Sequence, residues 1–196
     1  MFIRLHLTDV KQMTLQPVTV AAAVGAAAAS LLLAPGSDGV VGACLAALMV
    51  VIAAVDLARY TIPDVLSVPA FALGLAHATL HADDAITATA AAAALRGVVL
   101  ASLFWALRVG YRRLRGRDGL GLGDIKLAAV AGVWLSWAVV PVAVDIAAFS
   151  ALVVYGTRQY VLRRPWQASA RLPFGAFLGP AIWLGWIVET VIMGKM

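Results

Sequence analysis

Seven long apolar stretches, joined by short polar segments, leave this chain very few folds to choose from. They run over about 17–34, 40–55, 65–80, 87–109, 125–137, 139–157 and 173–193. An unbroken apolar run of roughly 18 residues or more reads as a membrane-spanning helix. Lipid offers backbone N–H and C=O groups no partner, so each stretch is helical by necessity. Composition agrees: 63% of the residues are hydrophobic and only 13% are charged, where a soluble domain carries about 25%. The mean hydropathy is +0.93. The expectation is an all-α, polytopic integral membrane bundle of about seven transmembrane helices.

The count depends on residues 125–157, which are too many for one comfortable span at about 1.5 Å per residue. A tight hairpin near Trp137–Pro141 gives seven spans; a single kinked helix would give six. The loops alternate in charge. Arg4 and Lys11 precede the first span, Arg59 follows the second, Arg108, Arg112, Arg113, Arg115 and Arg117 follow the fourth, and Arg158, Arg163, Arg164 and Arg171 follow the sixth. Asp38, Asp83 and Asp84 occupy the intervening loops, which hold no Lys or Arg. The positive-inside rule then puts every basic loop in the cytoplasm in the hairpin topology, with Lys195 the one exception. Residues 1–16 are expected to be a cytoplasmic segment, without the apolar core and small-residue cleavage site of a secretory signal. Residues 17–196 are expected to form a single transmembrane domain in the inner (cytoplasmic) membrane.

The net charge of +5 is accounted for by these loops, so the lipid bilayer is the expected partner and nucleic acid is not. The lone Cys44 sits within an apolar run and excludes a disulfide framework or a thiolate metal site. The alanine-rich stretches 21–29 and 88–94 suit close helix packing. Arg96 and Asp145 lie deeper in the fourth and sixth spans; they are expected to pair with each other, or Arg96 with Glu189.

Two carboxylates stand at membrane edges, where charge is costly and usually functional. Asp56 follows the apolar run 40–55 and precedes Ile62-Pro63; Asp124 closes Gly119-Leu120-Gly121-Leu122-Gly123-Asp124. On the hairpin topology both fall at the cytoplasmic edge, with Lys126 and Arg171-Leu172-Pro173-Phe174-Gly175. Two adjacent carboxylates do not both ionise easily and titrate as a pair. One can take a proton from water while the other polarises a carbonyl. Gly121 and Gly123 suit close backbone approach to the aspartate, through conformations that other residues avoid.

These residues also carry a resemblance. Asp56-Leu57-Ala58-Arg59-Tyr60-Thr61-Ile62-Pro63-Asp64 resembles the first aspartate motif of the type IV prepilin leader peptidases, and Gly121-Leu122-Gly123-Asp124-Ile125-Lys126-Leu127 resembles their G-x-G-D-x-K-L motif. Pro173-Phe174-Gly175-Ala176-Phe177-Leu178 is similar to their P-F-G-P-F-L segment, and Ala131-Gly132-Val133-Trp134-Leu135-Ser136-Trp137 to their G-A-W-L-G-W stretch. The likeness covers roughly residues 40–190. It implies a membrane aspartic endopeptidase, independent of metal and cofactor, whose partner is the helix of a prepilin or pseudopilin. The activity implied is removal of the short basic leader at the cytoplasmic face, with Asp56 and Asp124 as the catalytic pair.

This sequence departs from the pattern in places. Asp64 stands where asparagine is common and Ala176 where proline is common. The cysteine-containing cytoplasmic insertion of many bacterial members has no counterpart before Asp56, so the chain resembles a shorter form without methyltransferase activity. Asp124 can also serve as a helix N-cap, and Asp64 is expected to cap the third helix. Lys126 either tunes the aspartates or snorkels to the membrane surface. Pro173, Phe174 and Gly175 either face substrate or form the opening turn of the last helix. His77 and His81 are expected at the far surface rather than in a metal site with Asp83 and Asp84. The Arg108–Arg117 loop can also contact anionic headgroups. The rival reading is a small ion-coupled transporter or a pilus or secretion assembly scaffold, with Asp56, Asp124, Arg96 and Asp145 as relay or structural charges.

Overall fold

The computed structural model describes residues 16–34, 36–80, 85–161 and 173–192. Expectations for Arg4, Lys11, His81, Asp83, Asp84, Arg163, Arg164, Arg171, Leu172 and Lys195 lie outside the described residues, as does nearly all of the segment 1–16. The seven apolar stretches are seven helices: α1 Pro17–Leu33, α2 Ser37–Arg59, α3 Asp64–Leu80, α4 Ile86–Arg115, α5 Leu122–Trp134, α6 Val139–Val161 and α7 Gly175–Ile187. A π-helical turn, Val188–Ile192, extends α7. The described residues contain no strand. The chain is an all-α helical membrane bundle.

The hairpin between the fifth and sixth segments is present. α5 ends at Trp134, and α6 begins at Val139 with Pro141 in its first turn, where a missing N–H costs nothing. Among the described residues, α2, α4 and α6 are the helices long and apolar enough to cross a bilayer by length and composition; α1, α3 and α7 are shorter apolar helices. With 13 residues, α5 reaches about 20 Å, short of the roughly 30 Å hydrocarbon core. It has no need to span, because Leu127, Ala128 and all residues from Val130 to Leu135 are buried. Its neighbours are α3, α4 and α7, so protein rather than lipid surrounds it.

One apolar core joins the helices. On α2 it is Leu45, Met49, Ile52 and Val55; on α7, Leu178, Ala181, Ile182 and Trp186. α2 packs between α1 and α7, and α6 closes the other side of α7. The backbones of α4 and α5 meet where both residues are glycine: a Cβ on Gly132 would lie 2.6 Å from the Gly97 Cα. Small residues at such crossings let helices approach where lipid supplies no hydrophobic drive.

The expected pairing of Arg96 with Asp145 or Glu189 does not form. Arg96 donates from Nε to the Gly132 carbonyl at 3.2 Å, because the glycine crossing brings that carbonyl within reach. Asp145 is exposed on the outward face of α6. Glu189 accepts the Ser136 N–H through both oxygens, at 3.0 and 3.2 Å.

Candidate active site

α2 delivers the first carboxylate. Its buried stripe Leu45–Met49–Ile52 advances by four and three residues, and the next position on that face is Asp56, 5% exposed. The helix stops at Tyr60, whose N–H donates to the Asp56 carbonyl at 2.8 Å. Tyr60 has φ +56°, a left-handed conformation that is uncommon for a bulky residue and costs energy. That turn sends Ile62 and Pro63 back into the bundle, where both are buried.

α5 delivers the second carboxylate. Gly121 is its N-cap and Asp124 sits three residues on, 8% exposed, accepting the Gly121 N–H through Oδ2 at 3.0 Å. Asp124 is therefore not the N-cap itself. It reaches back to the N-cap amide, satisfying a helix-end donor.

α7 closes the site. The Ala176 N–H donates to Asp56 Oδ2 at 3.0 Å, and the Gly175 N–H faces both carboxylates. Asp56 thus sits at the C-terminal end of its own helix but at the N-terminal end of another, where exposed N–H groups favour an anion. Asp56 and Asp124 lie close enough to act on each other electrostatically. The well-formed backbone bond of each runs through Oδ2.

Space around the pair is kept by missing side chains. A Cβ on Gly175 would lie 2.6 Å from Ile62 Cδ1 and 2.9 Å from Asp56 Oδ2, and one on Gly123 would lie 3.0 Å from Ile62. Ile62 thus lies against both Gly123 of α5 and Gly175 of α7. Gly121 and Gly123 do not adopt the conformations expected to explain them: neither has a positive φ. Gly123 is needed for proximity to Ile62, and Gly121 lies against the Asp124 carboxyl.

The remaining expected residues fall around this centre. Pro173 and Phe174 form the opening turn of α7, their carbonyls accepting the N–H groups of Ala176 and of Phe177 and Leu178. The Pro63 carbonyl does the same for α3, accepting from Leu66 and Ser67. Asp64 makes no cap hydrogen bond; it pairs with Lys126 at 2.5 Å. Lys126 therefore ties α5 to α3 and is directed at Asp64 rather than at either aspartate.

His77 was expected at the surface, and the packing is otherwise. Its ring stacks on Trp134 with centroids 5.3 Å apart, meets Trp186 edge-on at 6.4 Å, and lies 3.8 Å from Asp38. α2 starts at Ser37 and α3 runs to Leu80, so Asp38, expected in a loop, lies in the first turn of α2 and meets His77 near the end of α3. This cluster is at the opposite end of the bundle from the aspartates. Among the described residues no group of three or more His, Cys, Asp or Glu is arranged to hold a metal.

Sequence reasoning missed two contributions. Ala176 reads in sequence only as a departure from the P-F-G-P-F-L segment that 173–178 resembles, yet only a non-proline residue has the N–H that meets Asp56. Arg108 reads in sequence as one of five topological arginines. Yet it extends the buried stripe Ala93–Gly97–Leu100–Phe104 of α4 by one turn, and that spacing was the available signal.

The fold and site together define a helical membrane protein with a buried carboxylate pair held at one end of its bundle. Residues 43–156, more than half of the chain, match the type IV leader peptidase family, and the chain belongs to that family. That range holds both aspartates and ends before α7. A prepilin leader peptidase/N-methyltransferase of Aeromonas salmonicida is 29% identical over 174 residues, covering 83% of this chain and 57% of the relative. Its Aeromonas hydrophila counterpart is 30% identical over 80% of this chain and 52% of its own length. A leader peptidase, HopD, of Escherichia coli is 31% identical over 68% of this chain and 83% of the relative. The chain spans little more than half the length of the Aeromonas relatives. No solved structure matches it.

Proposed function

We propose that this chain is an aspartic endopeptidase that removes the short basic leader of type IV prepilins or pseudopilins. The reading places it in the inner membrane with its active site at the cytoplasmic face. Family membership supports the substrate class, and the run of basic residues at the aspartate ends of α2, α4 and α6 supports the sidedness. The observation that carries the reading is the meeting of two buried carboxylates, 68 positions apart in sequence (124 minus 56), beneath one helix N-terminus.

In this mechanism the pair holds one proton between its members. The ionised carboxylate takes a proton from water as the oxygen attacks the scissile carbonyl carbon, while the protonated partner donates to the carbonyl oxygen. Collapse of the tetrahedral intermediate breaks the C–N bond, and the proton taken from water passes to the departing amine. The amides of Ala176 and Gly121 each hold one carboxylate through Oδ2, and the reaction uses the other oxygen of each.

The test is leader removal in membranes with a prepilin-like substrate. Asp56→Asn and Asp124→Asn are each expected to insert normally and to lower cleavage by at least about 100-fold; cleavage by either variant within a few-fold of wild type would overturn the assignment.

A further inference from the structure

We infer that Arg108 is a positioning residue, which clamps the loop between α4 and α5 and thereby holds Asp124 in place opposite Asp56. This inference rests on the peptidase reading for its consequence, but the clamp itself is a separate structural fact. Arg108 lies on α4, yet its partners are all on the loop. Nη1 donates to the Leu120 carbonyl at 2.7 Å, and Nη2 lies 3.2 Å from Asp118 Oδ2. Leu120 immediately precedes Gly121, the residue whose N–H holds Asp124. A planar guanidinium can grip a carbonyl and a carboxylate at once; an ammonium is a single point charge.

The rest of the loop is folded back on the same helix. Gly116 ends α4 with φ +68°, and a Cβ on Gly119 would lie 2.5 Å from the Tyr111 ring. Arg117 donates to the Tyr111 hydroxyl at 3.5 Å. The other arginines do not share the role of Arg108. Its side chain is 17% exposed, whereas that of Arg112 is 69% exposed and stands 3.9 Å from Asp118; Arg113 and Arg115 are exposed. Among the arginines of this cluster it is also the one whose charge reaches Asp124. A topological arginine needs only to stand at the membrane edge. A half-buried one bonded to the loop that presents an active-site acid is doing a second thing.

The experiment compares wild type, Arg108→Gln, Arg108→Lys and the control Arg113→Gln, each inserted and purified in detergent. The first readout is independent of peptidase activity: trypsin cleavage after Arg115 and Arg117 within the loop. Arg108→Gln is expected to be cut several-fold faster, and Arg113→Gln at the wild-type rate. The second is leader removal from a peptide with a basic leader, a glycine and an apolar segment. Arg108→Gln is expected to lower kcat about ten-fold, the usual cost of a hydrogen bond to a charged group, with KM little changed and the pH profile of kcat displaced. Arg108→Lys, which keeps the charge and loses the fork, is expected to lose only part of kcat and keep the wild-type profile. Unchanged loop cutting in both Arg108 variants overturns the clamp. Faster cutting with wild-type kcat and pH profile overturns the positioning role. Faster cutting in a protein whose wild type cleaves no leader leaves the clamp standing and removes the peptidase reading instead.

Discussion

Both ends of α7 are tied to the bundle by a carboxylate that accepts a backbone N–H, yet the two ends serve different purposes. At the far end Glu189 closes both oxygens on the single amide of Ser136. Trp134 and Trp186 fill the space there, the latter lying so close over Gly42 that a Cβ would be 2.0 Å from its ring. At the near end Asp56 meets the Ala176 amide through one oxygen and faces a second carboxylate. Glycines keep the space open around it. A carboxylate with every oxygen engaged is a fastening; one that shares its site with another acid is equipped for proton transfer. The same interaction becomes chemistry only where packing leaves room for a second acid.

The contrast can be broken most forcefully at the acids. Asp56→Asn and Asp124→Asn are expected to lower leader removal by on the order of 10²–10⁴-fold, measured as kcat/KM on inserted protein. Glu189→Gln, which changes the corresponding group at the far end, is expected to leave kcat unaltered. Space is the next difference. Gly175→Ala puts a methyl against Ile62 and Asp56 and is expected to cost up to about 100-fold in kcat through displacement of the acid. Gly110→Ala, with nothing within 4 Å of the added Cβ, is expected to be neutral in the same assay.

Ala176→Pro sharpens the comparison further, because it deletes one N–H at a helix first turn where proline is tolerated. Loss of that hydrogen bond to Asp56 is expected to cost about ten-fold in kcat, with stability unchanged in thermal melts. Filling matters at the other end. Trp186→Ala is expected to destabilise the protein by about 3–5 kcal/mol in denaturant titration, while the folded fraction keeps its kcat. The smallest effect expected is that of Glu189→Gln on stability, about 1 kcal/mol, since the amide oxygen still accepts from Ser136.

The sequence exposes these features unevenly, and for physical reasons. Apolar runs reveal α1 to α7 because lipid and core impose the same hydrophobic demand. The run cannot show where a polar helix continues past the membrane. α4 was expected to end near residue 109 and persists to Arg115, where the basic side chains favour the C-terminal dipole and Gly116 provides the cap. The hairpin was legible because 33 residues are too many for one span. Asp56 was legible as a charge ending an apolar run, whereas the Leu45–Ile52 stripe it continues was hidden in a run that is apolar on every face.

Contacts between segments were not legible. Nothing in the spacing of Arg96, Asp145 and Glu189 discloses that Gly132 and Ser136 offer backbone partners instead. His77 was misread because its own span does not disclose that Trp134 and Trp186, from distant segments, pack against it. The amide of Ala176 was invisible because a backbone donor leaves no mark in a side-chain pattern, except that the residue is not proline.

The central claim, that Asp56 on α2 and Asp124 on α5 share one small site, is open to a direct measurement. In a Cys44→Ala background, Asp56→Cys and Asp124→Cys are introduced together and treated with a short thiol-reactive cross-linker in inside-out vesicles. Efficient intramolecular cross-linking, with both thiols labelled from the same side, is the predicted result. Thiols that label from opposite sides, or that a short linker does not bridge in the inserted protein, would contradict it.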